Sequence, residues 1–139
     1  MLIGEYQHNL DAKGRVFIPA HFREVLGEHF IVTKGLDSCL FIYSIDEWKL
    51  LEEKIRALPL SRARNLQRFF FAGACDVEVD KLGRVVIPAN LRKYAFLDKD
   101  VMIIGASNRA EIWDTQKWND MCGEITPQAV VEAMDELGF

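Results

Sequence analysis

The chain has 139 residues, half of them apolar, which suits one compact domain or two small fused domains with a packed core. No apolar run approaches the roughly 20 residues of a membrane span, and the first residues lack the basic start and apolar stretch of a signal peptide. The three cysteines are far apart and form no Cys-x-x-Cys pair. We therefore expect a reduced, cytoplasmic protein with no disulfide framework, no metal site, no cofactor and no membrane partner.

The net charge of −4 is spread unevenly along the chain. Residues 1–68 carry ten basic and nine acidic side chains, whereas residues 69–139 carry seven and twelve. Only charges within about a Debye length, roughly 8 Å, act strongly on a phosphate. A basic face can therefore bind DNA on a protein whose total charge is acidic, and the total charge decides nothing about nucleic acid.

The first half of the chain predicts short strands followed by helices. Strands are expected over residues 6–10 and 15–18, joined by a tight turn in which Gly14 supplies a permissive backbone. Pro19 suits the first turn of a short helix, which should end at Gly27. Two further strands are expected over residues 30–34 and 39–43.

Two helices should follow these strands. Ser44 and Glu47 form a capping-box pattern, in which each can bond the backbone amide of the other. Apolar residues then recur at helical spacing up to Pro59, which ends the helix. A second helix over residues 61–70 carries three arginines for which solvent or a neighbouring protomer is a better expectation than DNA: Arg62, Arg64 and Arg68. The aromatic run at residues 69–71 predicts core packing or a seam between the two halves.

The second half of the chain repeats the first. Asp-x-x-Gly-Arg-Val-x-Ile-Pro occurs twice, starting at Asp11 and at Asp80, an offset of 69. Later positions such as Trp48 and Trp118 match at an offset of 70, so the chain is an internal duplication. We divide it into a first repeat over residues 4–60, a connecting helix over residues 61–72, and a second repeat with a C-terminal helix over residues 73–139.

The repeated motif could be a simple turn in which the carboxylate accepts local amide bonds. A simple turn would not require an arginine at the same place twice, so we expect Asp11 and Asp80 to orient Arg15 and Arg84 through charge-assisted hydrogen bonds. An oriented guanidinium can fork onto guanine in a major groove or clamp a phosphate. The loops also contain Lys13 and Lys81, and they differ because Leu82 stands where the first loop has Lys13.

An enzymatic interpretation is weaker. Aspartic proteases pair two Asp residues from duplicated halves, and Asp11 with Asp80 would be that pair. A neighbouring arginine lowers the pKa of a carboxyl, whereas a shared proton requires a raised pKa. The three histidines are scattered, and no nucleophile elbow or glycine-rich phosphate loop is present. We expect a protein that is not an enzyme.

The two Asp-x-x-Gly-Arg-Val-x-Ile-Pro motifs, their spacing and the helices between them resemble the bacterial MraZ family over essentially the whole chain. Each half resembles a SpoVT/AbrB-type DNA-binding domain. The resemblance implies an α+β fold: two tandem AbrB-like repeats that form a pseudo-two-fold swapped-hairpin β-barrel with flanking helical hairpins.

The resemblance also implies a function. Members of the family are similar in being cytoplasmic, nucleoid-associated transcription regulators that bind tandem G-rich repeats upstream of their own gene, at the head of the division and cell-wall cluster, and repress it. They assemble as rings of many protomers on double-stranded DNA. The implied DNA contacts and the motif residues that would orient them are Arg15, Arg84, Lys13 and Lys81, with Asp11, Asp80, Gly14 and Gly83. The alternative function is a protein- or peptide-binding swapped-hairpin barrel module.

Overall fold

The computed structural model describes residues 1–138, and Phe139, the end of the predicted second repeat, lies outside the described residues. The strands are β1 (Glu5–Asn9), β2 (Arg15–Phe17), β3 (His29–Lys34), β4 (Leu40–Tyr43), β5 (Cys75–Glu78), β6 (Arg84–Val86), β7 (Asp100–Gly105) and β8 (Ala110–Asp114). The helices are α1 (Ala20–Leu26), α2 (Ile45–Arg56), α3 (Leu60–Leu66), α4 (Ala89–Tyr94), α5 (Thr115–Glu124) and α6 (Pro127–Asp135). A π turn, Gln67–Phe71, continues α3. The predicted α+β class and the two-repeat order of elements are confirmed.

The strands form a six-stranded sheet in the order β1-β7-β8-β4-β3-β5 and a separate two-stranded ribbon of β2 and β6. All pairs are antiparallel. The repeats exchange strands: β1 pairs with β7, β2 with β6, and β5 with β3. Each repeat therefore completes the sheet of the other.

The strand registers show a pseudo-two-fold relation between the repeats. The β2–β6 ribbon is centred on Val16 opposite Val85, 69 positions apart, and the pairs on either side are exchanged by that same offset. The central β4–β8 pair is centred on Phe41 opposite Glu111, 70 positions apart, and is symmetric in the same way. The two offsets are the ones found in the sequence repeat, so the duplication of the chain has become a symmetry of the fold.

The expected tight turn between the first two strands is present, because the Gly14 amide donates to the Asp11 carbonyl at 3.0 Å. The strands on either side do not form a hairpin ladder with each other. They diverge after the turn into the sheet and the ribbon, where each pairs with the second repeat. The alternation of residues in a sequence indicates the two faces of a strand but not the strand it pairs with. Here β1 and β2 pair with strands of the second repeat and not with each other.

The large sheet has an apolar core on each of its two faces. Alternate residues of β4 point to opposite faces, so Leu40 and Ile42 belong to the core shared with the ribbon, α1 and α4. Phe41 and Tyr43 belong to the core under α2, α3, the π turn and α5. The run at residues 69–71 packs in that second core, as predicted. The ribbon and the long helices thus lie on opposite faces of the sheet.

The predicted cap at Ser44 is present, and two later helices are capped in the same way. The Ser44 hydroxyl accepts from the Glu47 amide at 3.2 Å, and the Asp114 carboxylate accepts from the Lys117 amide at 3.1 Å. Thr126 caps α6 in the same way. The reciprocal bond of the predicted capping box, from the Ser44 amide to the Glu47 side chain, is absent within residues 1–138, so only half of the box forms.

Candidate nucleic-acid interface

The repeated motif forms two loops of the same geometry, loop 1 (residues 11–15) and loop 2 (residues 80–84). In loop 1, Asp11 Oδ1 accepts from the amides of Lys13 and Arg15, both at 2.9 Å, and Asp11 Oδ2 accepts from Arg15 Nε at 2.6 Å. In loop 2, Asp80 accepts from the amides of Leu82 and Arg84 and from Arg84 Nε, all at 2.9 Å. Each carboxylate thus organises its loop and holds its own arginine.

These bonds fix the charge state of both carboxylates. The pKa of the Asp11 carboxyl is lowered mainly by the hydrogen bond from the backbone amide of Arg15. The Arg15 Nε–H and the Lys13 amide lower this pKa further. Together these donors outweigh desolvation, which raises it. The pKa of Asp80 is lowered by the equivalent donors. Both groups are ionised at neutral pH, which is the opposite of the shared proton that an aspartic-protease pair requires.

Both loops contain a glycine at a left-handed backbone position. The φ angle is +78° at Gly14 and +89° at Gly83, a region that residues with a Cβ rarely adopt. Each glycine amide closes the turn onto the aspartate carbonyl at 3.0 Å. Although the loops are at the surface, both glycines are buried.

The arginines lie on the outer face of the β2–β6 ribbon. Val16 and Val85 point into the core, so the residues on either side of them point outward. These outward residues are called the ribbon face: Arg15, Phe17, Arg84 and Val86. Arg15 is opposite Val86 and Arg84 is opposite Phe17, which makes the arginines diagonal neighbours, about 7–8 Å apart on the backbone. The fold thus brings together two side chains that are 69 positions apart.

The ribbon face is only partly symmetric. The Arg84 guanidinium lies over the Phe17 ring, 5.9 Å from its centroid, whereas Arg15 has Val86 opposite it. Both ion pairs are partly exposed. Within residues 1–138, the terminal Nη atoms of Arg15 and Arg84 make no hydrogen bond, so these donors are available for a ligand.

The lysines of the two loops are both exposed. Lys13 occupies the third position of loop 1 and Lys81 the second position of loop 2, with Leu82 at the third position and 64% exposed. The loops are therefore alike in their arginines and differ in where their second positive charge is placed.

Two further arginines contact the loops and were assigned no role from the sequence. Arg23 on α1 donates through Nε to the Ile18 carbonyl at 3.2 Å, and Arg92 on α4 donates through Nε to the Ile87 carbonyl at 3.0 Å. They are also 69 positions apart, and this offset was the signal that could have identified them. Each guanidinium also lies against the loop glycine of the opposite repeat, Arg92 against Gly14 and Arg23 against Gly83. The sequence around either arginine does not indicate that contact.

Other kinds of site find no support in the part of the chain that the structure describes. No three His, Cys, Asp or Glu side chains converge there as metal ligands would. None of the helices described is both long enough and apolar enough to pass through a bilayer. Burial raises the pKa of the Cys39 thiol well above its usual range, so this cysteine is an inert core residue.

The fold and the loops together define a class of protein: a duplicated α+β chain whose repeats exchange strands and present paired Asp–Arg loops on one face. A family model described as "MraZ protein, putative antitoxin-like" matches the chain twice, over residues 1–69 and 70–135. Proteins called transcriptional regulator MraZ from Acetivibrio thermocellus, Desulfitobacterium hafniense strain Y51 and Thermoanaerobacter sp. strain X514 are 57%, 59% and 52% identical to it, and each alignment covers both chains completely. The chain belongs to the MraZ family.

Proposed function

We propose that this protein is a sequence-specific DNA-binding transcriptional regulator in which Arg15 and Arg84 contact bases. The observation that carries the proposal is the pair of arginines on the ribbon face. Each has its Nε fixed by an aspartate, and within the described residues its Nη atoms make no hydrogen bond. Two Nη donors match the O6 and N7 acceptors of guanine in the major groove. An aspartate that fixes the guanidinium beforehand lowers the entropy lost when the contact forms.

The lysines supply contacts that do not depend on sequence. Lys13 and Lys81 are exposed beside the arginines, where an ammonium can pair with a phosphate. Because Leu82 replaces a lysine in loop 2, we assign the stronger backbone contact to Lys13 and the weaker one to Lys81. A protein with this function would be located in the cytoplasm, associated with the nucleoid.

We also propose that several protomers act together as a ring. The chain from Cys122 to Gly138 is exposed along its whole length and carries four apolar side chains that are at least 43% exposed: Ile125, Val130, Val131 and Leu137. From Glu111 onward there are seven acids and one base, whereas residues 49–68 carry six bases and two acids. These complementary surfaces suit a head-to-tail contact between copies of this chain.

A ring would explain how two small loops achieve tight binding. A single ribbon face offers few contacts, but copies at a fixed spacing can bind tandem DNA sites with a gain in effective concentration. We propose that the operator is such a tandem repeat upstream of the division and cell-wall gene cluster, including the protein's own promoter, and that binding represses transcription.

A second candidate function has one observation in its favour. Apolar side chains lie among the charges of this surface, since Phe17, Val86 and Leu82 are 46%, 52% and 64% exposed. Such a mixture also suits the recognition of a peptide, which would make the protein a protein-binding barrel module. Salt dependence distinguishes the two, because phosphate contacts release counterions and an apolar peptide groove does not.

The test is fluorescence anisotropy with the DNA directly upstream of the protein's own gene, across a salt series, after native mass spectrometry has given the assembly size. We expect tight binding that weakens steeply with salt and a loss of about 1–3 kcal/mol per lost base contact in Arg15→Ala. Arg62→Ala is the matched control once native mass spectrometry has shown that it keeps the wild-type assembly size, because Arg62 is exposed on α3, which packs on the other face of the sheet, and belongs to the basic segment proposed to contact the next copy. Equal binding of scrambled DNA, or unchanged affinity in Arg15→Ala, would reject the proposal.

A further inference from the structure

Each loop is hydrogen bonded to the opposite repeat as well as closed on itself. The Gly14 carbonyl of loop 1 accepts from the Ile87 amide of the second repeat at 2.8 Å. The Gly83 carbonyl of loop 2 accepts from the Ile18 amide of the first repeat at 3.0 Å. The two repeats therefore meet at the glycines of the loops.

An arginine lies at each of these meeting points. Arg92 Nε donates to the carbonyl of Ile87, the same residue whose amide holds loop 1. The guanidinium then lies against Gly14, where an added Cβ would come within 2.9 Å of both Arg92 Cζ and Arg92 Nε. Gly14 is thus buried beneath a side chain of the opposite repeat.

The second loop repeats this arrangement with the roles of the repeats exchanged. Arg23 Nε donates to the carbonyl of Ile18, whose amide holds loop 2. An added Cβ at Gly83 would lie 3.0 Å from Arg23 Cζ and 3.1 Å from its Nη1. The same contact therefore occurs twice, built from different residues of the chain.

We propose that Arg92 and Arg23 are positioning residues that act across the repeats: Arg92 holds loop 1 and so orients Arg15, and Arg23 holds loop 2 and so orients Arg84. The effect on DNA rests on the proposed function, whereas the effect on the loops does not.

The physical reason for such a contact lies in the backbone of the loops. A glycine at positive φ leaves many conformations open to the unfolded loop, so ordering it is costly. Each loop lies at the surface, and apart from the glycine and the arginine its residues are exposed. A planar guanidinium, held by a backbone carbonyl, covers the glycine. It occupies the space into which the glycine backbone would move if the turn changed its conformation. The aspartate orders the loop from its own repeat, and the arginine orders it from the other.

The first experiment measures the loops without DNA. Hydrogen–deuterium exchange is followed by mass spectrometry for the wild type, Arg92→Met and Arg23→Met, in loop peptides over residues 9–17 and 78–86 and in peptides around the arginines, over residues 18–26 and 87–95. Methionine keeps an apolar stem and removes the guanidinium. We expect exchange in Arg92→Met to be at least about fivefold faster in loop 1 and unchanged in loop 2, and Arg23→Met to show the reverse. Equal acceleration in both loops, or acceleration confined to the segment around the mutated arginine, would overturn the proposal.

The second experiment separates positioning from direct phosphate contact by a double-mutant cycle on DNA affinity. If Arg92 acts through Arg15, Arg92→Met weakens binding about tenfold in the wild type and in Arg84→Ala, and less than about twofold in Arg15→Ala. A loss that persists undiminished in Arg15→Ala would overturn the assignment, because the arginine would then act on DNA by itself.

A conservative variant provides an independent criterion. Arg92→Lys keeps the positive charge but loses the planar fork, so a positioning role predicts loop exchange and DNA affinity close to those of Arg92→Met. Recovery of both by lysine would refute the role assigned to the guanidinium. If the wild type itself fails to bind DNA, the proposed function falls, and the exchange measurements still decide whether the contact across the repeats orders the loops.

Discussion

Asp11 and Asp80 each use both carboxylate oxygens inside their own loop. Substitution or protonation of either aspartate should therefore change the geometry of its loop. One oxygen binds two backbone amides and the other binds the arginine Nε. Among residues 1–138, the carboxylate is the acceptor that joins the turn to the arginine side chain. Removing the charge of the carboxylate should therefore change the orientation of the arginine side chain more than the stability of the fold.

We predict that Asp11→Asn weakens DNA binding by an amount that approaches, and does not exceed, the loss in Arg15→Ala. The amide can still accept from the backbone through its oxygen, but its NH₂ group then faces the Arg15 Nε–H, so two donors oppose each other. Anisotropy at neutral pH measures the effect, with Asp46→Asn on α2 as the control. An Asp11→Asn variant that binds like the wild type would show that Arg15 needs no aspartate.

The same carboxylates predict a pH dependence with a definite sign. The folded-state pKa of Asp11 and of Asp80 is lowered below the ordinary value of 3.8 by the loop donors. Their contribution to loop stability is therefore complete above pH 3.8 and is lost as the pH falls through the lowered pKa. The Arg15 and Arg84 side-chain NMR signals should change together with the carboxyl titration, below pH 3.8. A transition between pH 5 and 7 would contradict this origin.

At the scale of elements, the junction between β3 and the π turn depends on one buried hydroxyl. Thr33 is fully buried, and its Oγ1 donates to the Phe70 carbonyl at 2.6 Å. The π turn follows α3 directly and leads into β5 of the second repeat. This bond therefore fixes the chain where it passes from one repeat to the next.

We predict that Thr33→Val lowers the free energy of unfolding by about 1–3 kcal/mol, because the Phe70 carbonyl would remain buried without its donor. Thr115→Val is the matched control, since the Thr115 hydroxyl is buried and has no partner within the described part of the chain. It should be neutral or stabilising. Urea unfolding followed by circular dichroism measures both variants, and equal effects would show that the Thr33 bond contributes no more than an unpaired hydroxyl.

At the scale of the whole molecule, the exchange of strands makes the repeats interdependent. The first repeat contributes β1 and β2 to partners in the second, and β5 returns to pair with β3. The division into residues 4–60, 61–72 and 73–139 is accordingly a proposal about repeats in the sequence. Because these strand partners lie in the other repeat, we expect neither repeat to fold as a monomer by itself.

We predict that the fragment over residues 1–72 forms a dimer and not a folded monomer. The ribbon is centred on Val16 opposite Val85 and the sheet on Phe41 opposite Glu111. Two copies of the first repeat can reproduce both centres with Val16 opposite Val16 and Phe41 opposite Phe41. Analytical ultracentrifugation measures the mass, and Val16→Asp, which places a charge at the buried centre, should abolish the dimer. A folded monomer would show that strand exchange is dispensable.

Some of these features depend only on neighbours in the chain, and the sequence predicted them well. The turn at Gly14, the Ser44 cap and the aromatic core under α2 are each set by residues within a few positions or by helical spacing. The duplication was visible in the motif itself. The sequence did not identify the partners of β1 and β2, because alternation defines the faces of a strand and not the strand it pairs with.

The sequence by itself therefore determined the duplication, the α+β class and the chemistry of loops in which an aspartate and an arginine lie four positions apart. Only the tertiary structure decided that Arg15 and Arg84 share one exposed face, and that Arg92 and Arg23 cover the glycines of the opposite loops. The reason is physical: loop and cap contacts form between residues that are close along the chain, whatever surrounds them. Contacts between residues some 70 positions apart exist only after the long-range strand pairs have formed.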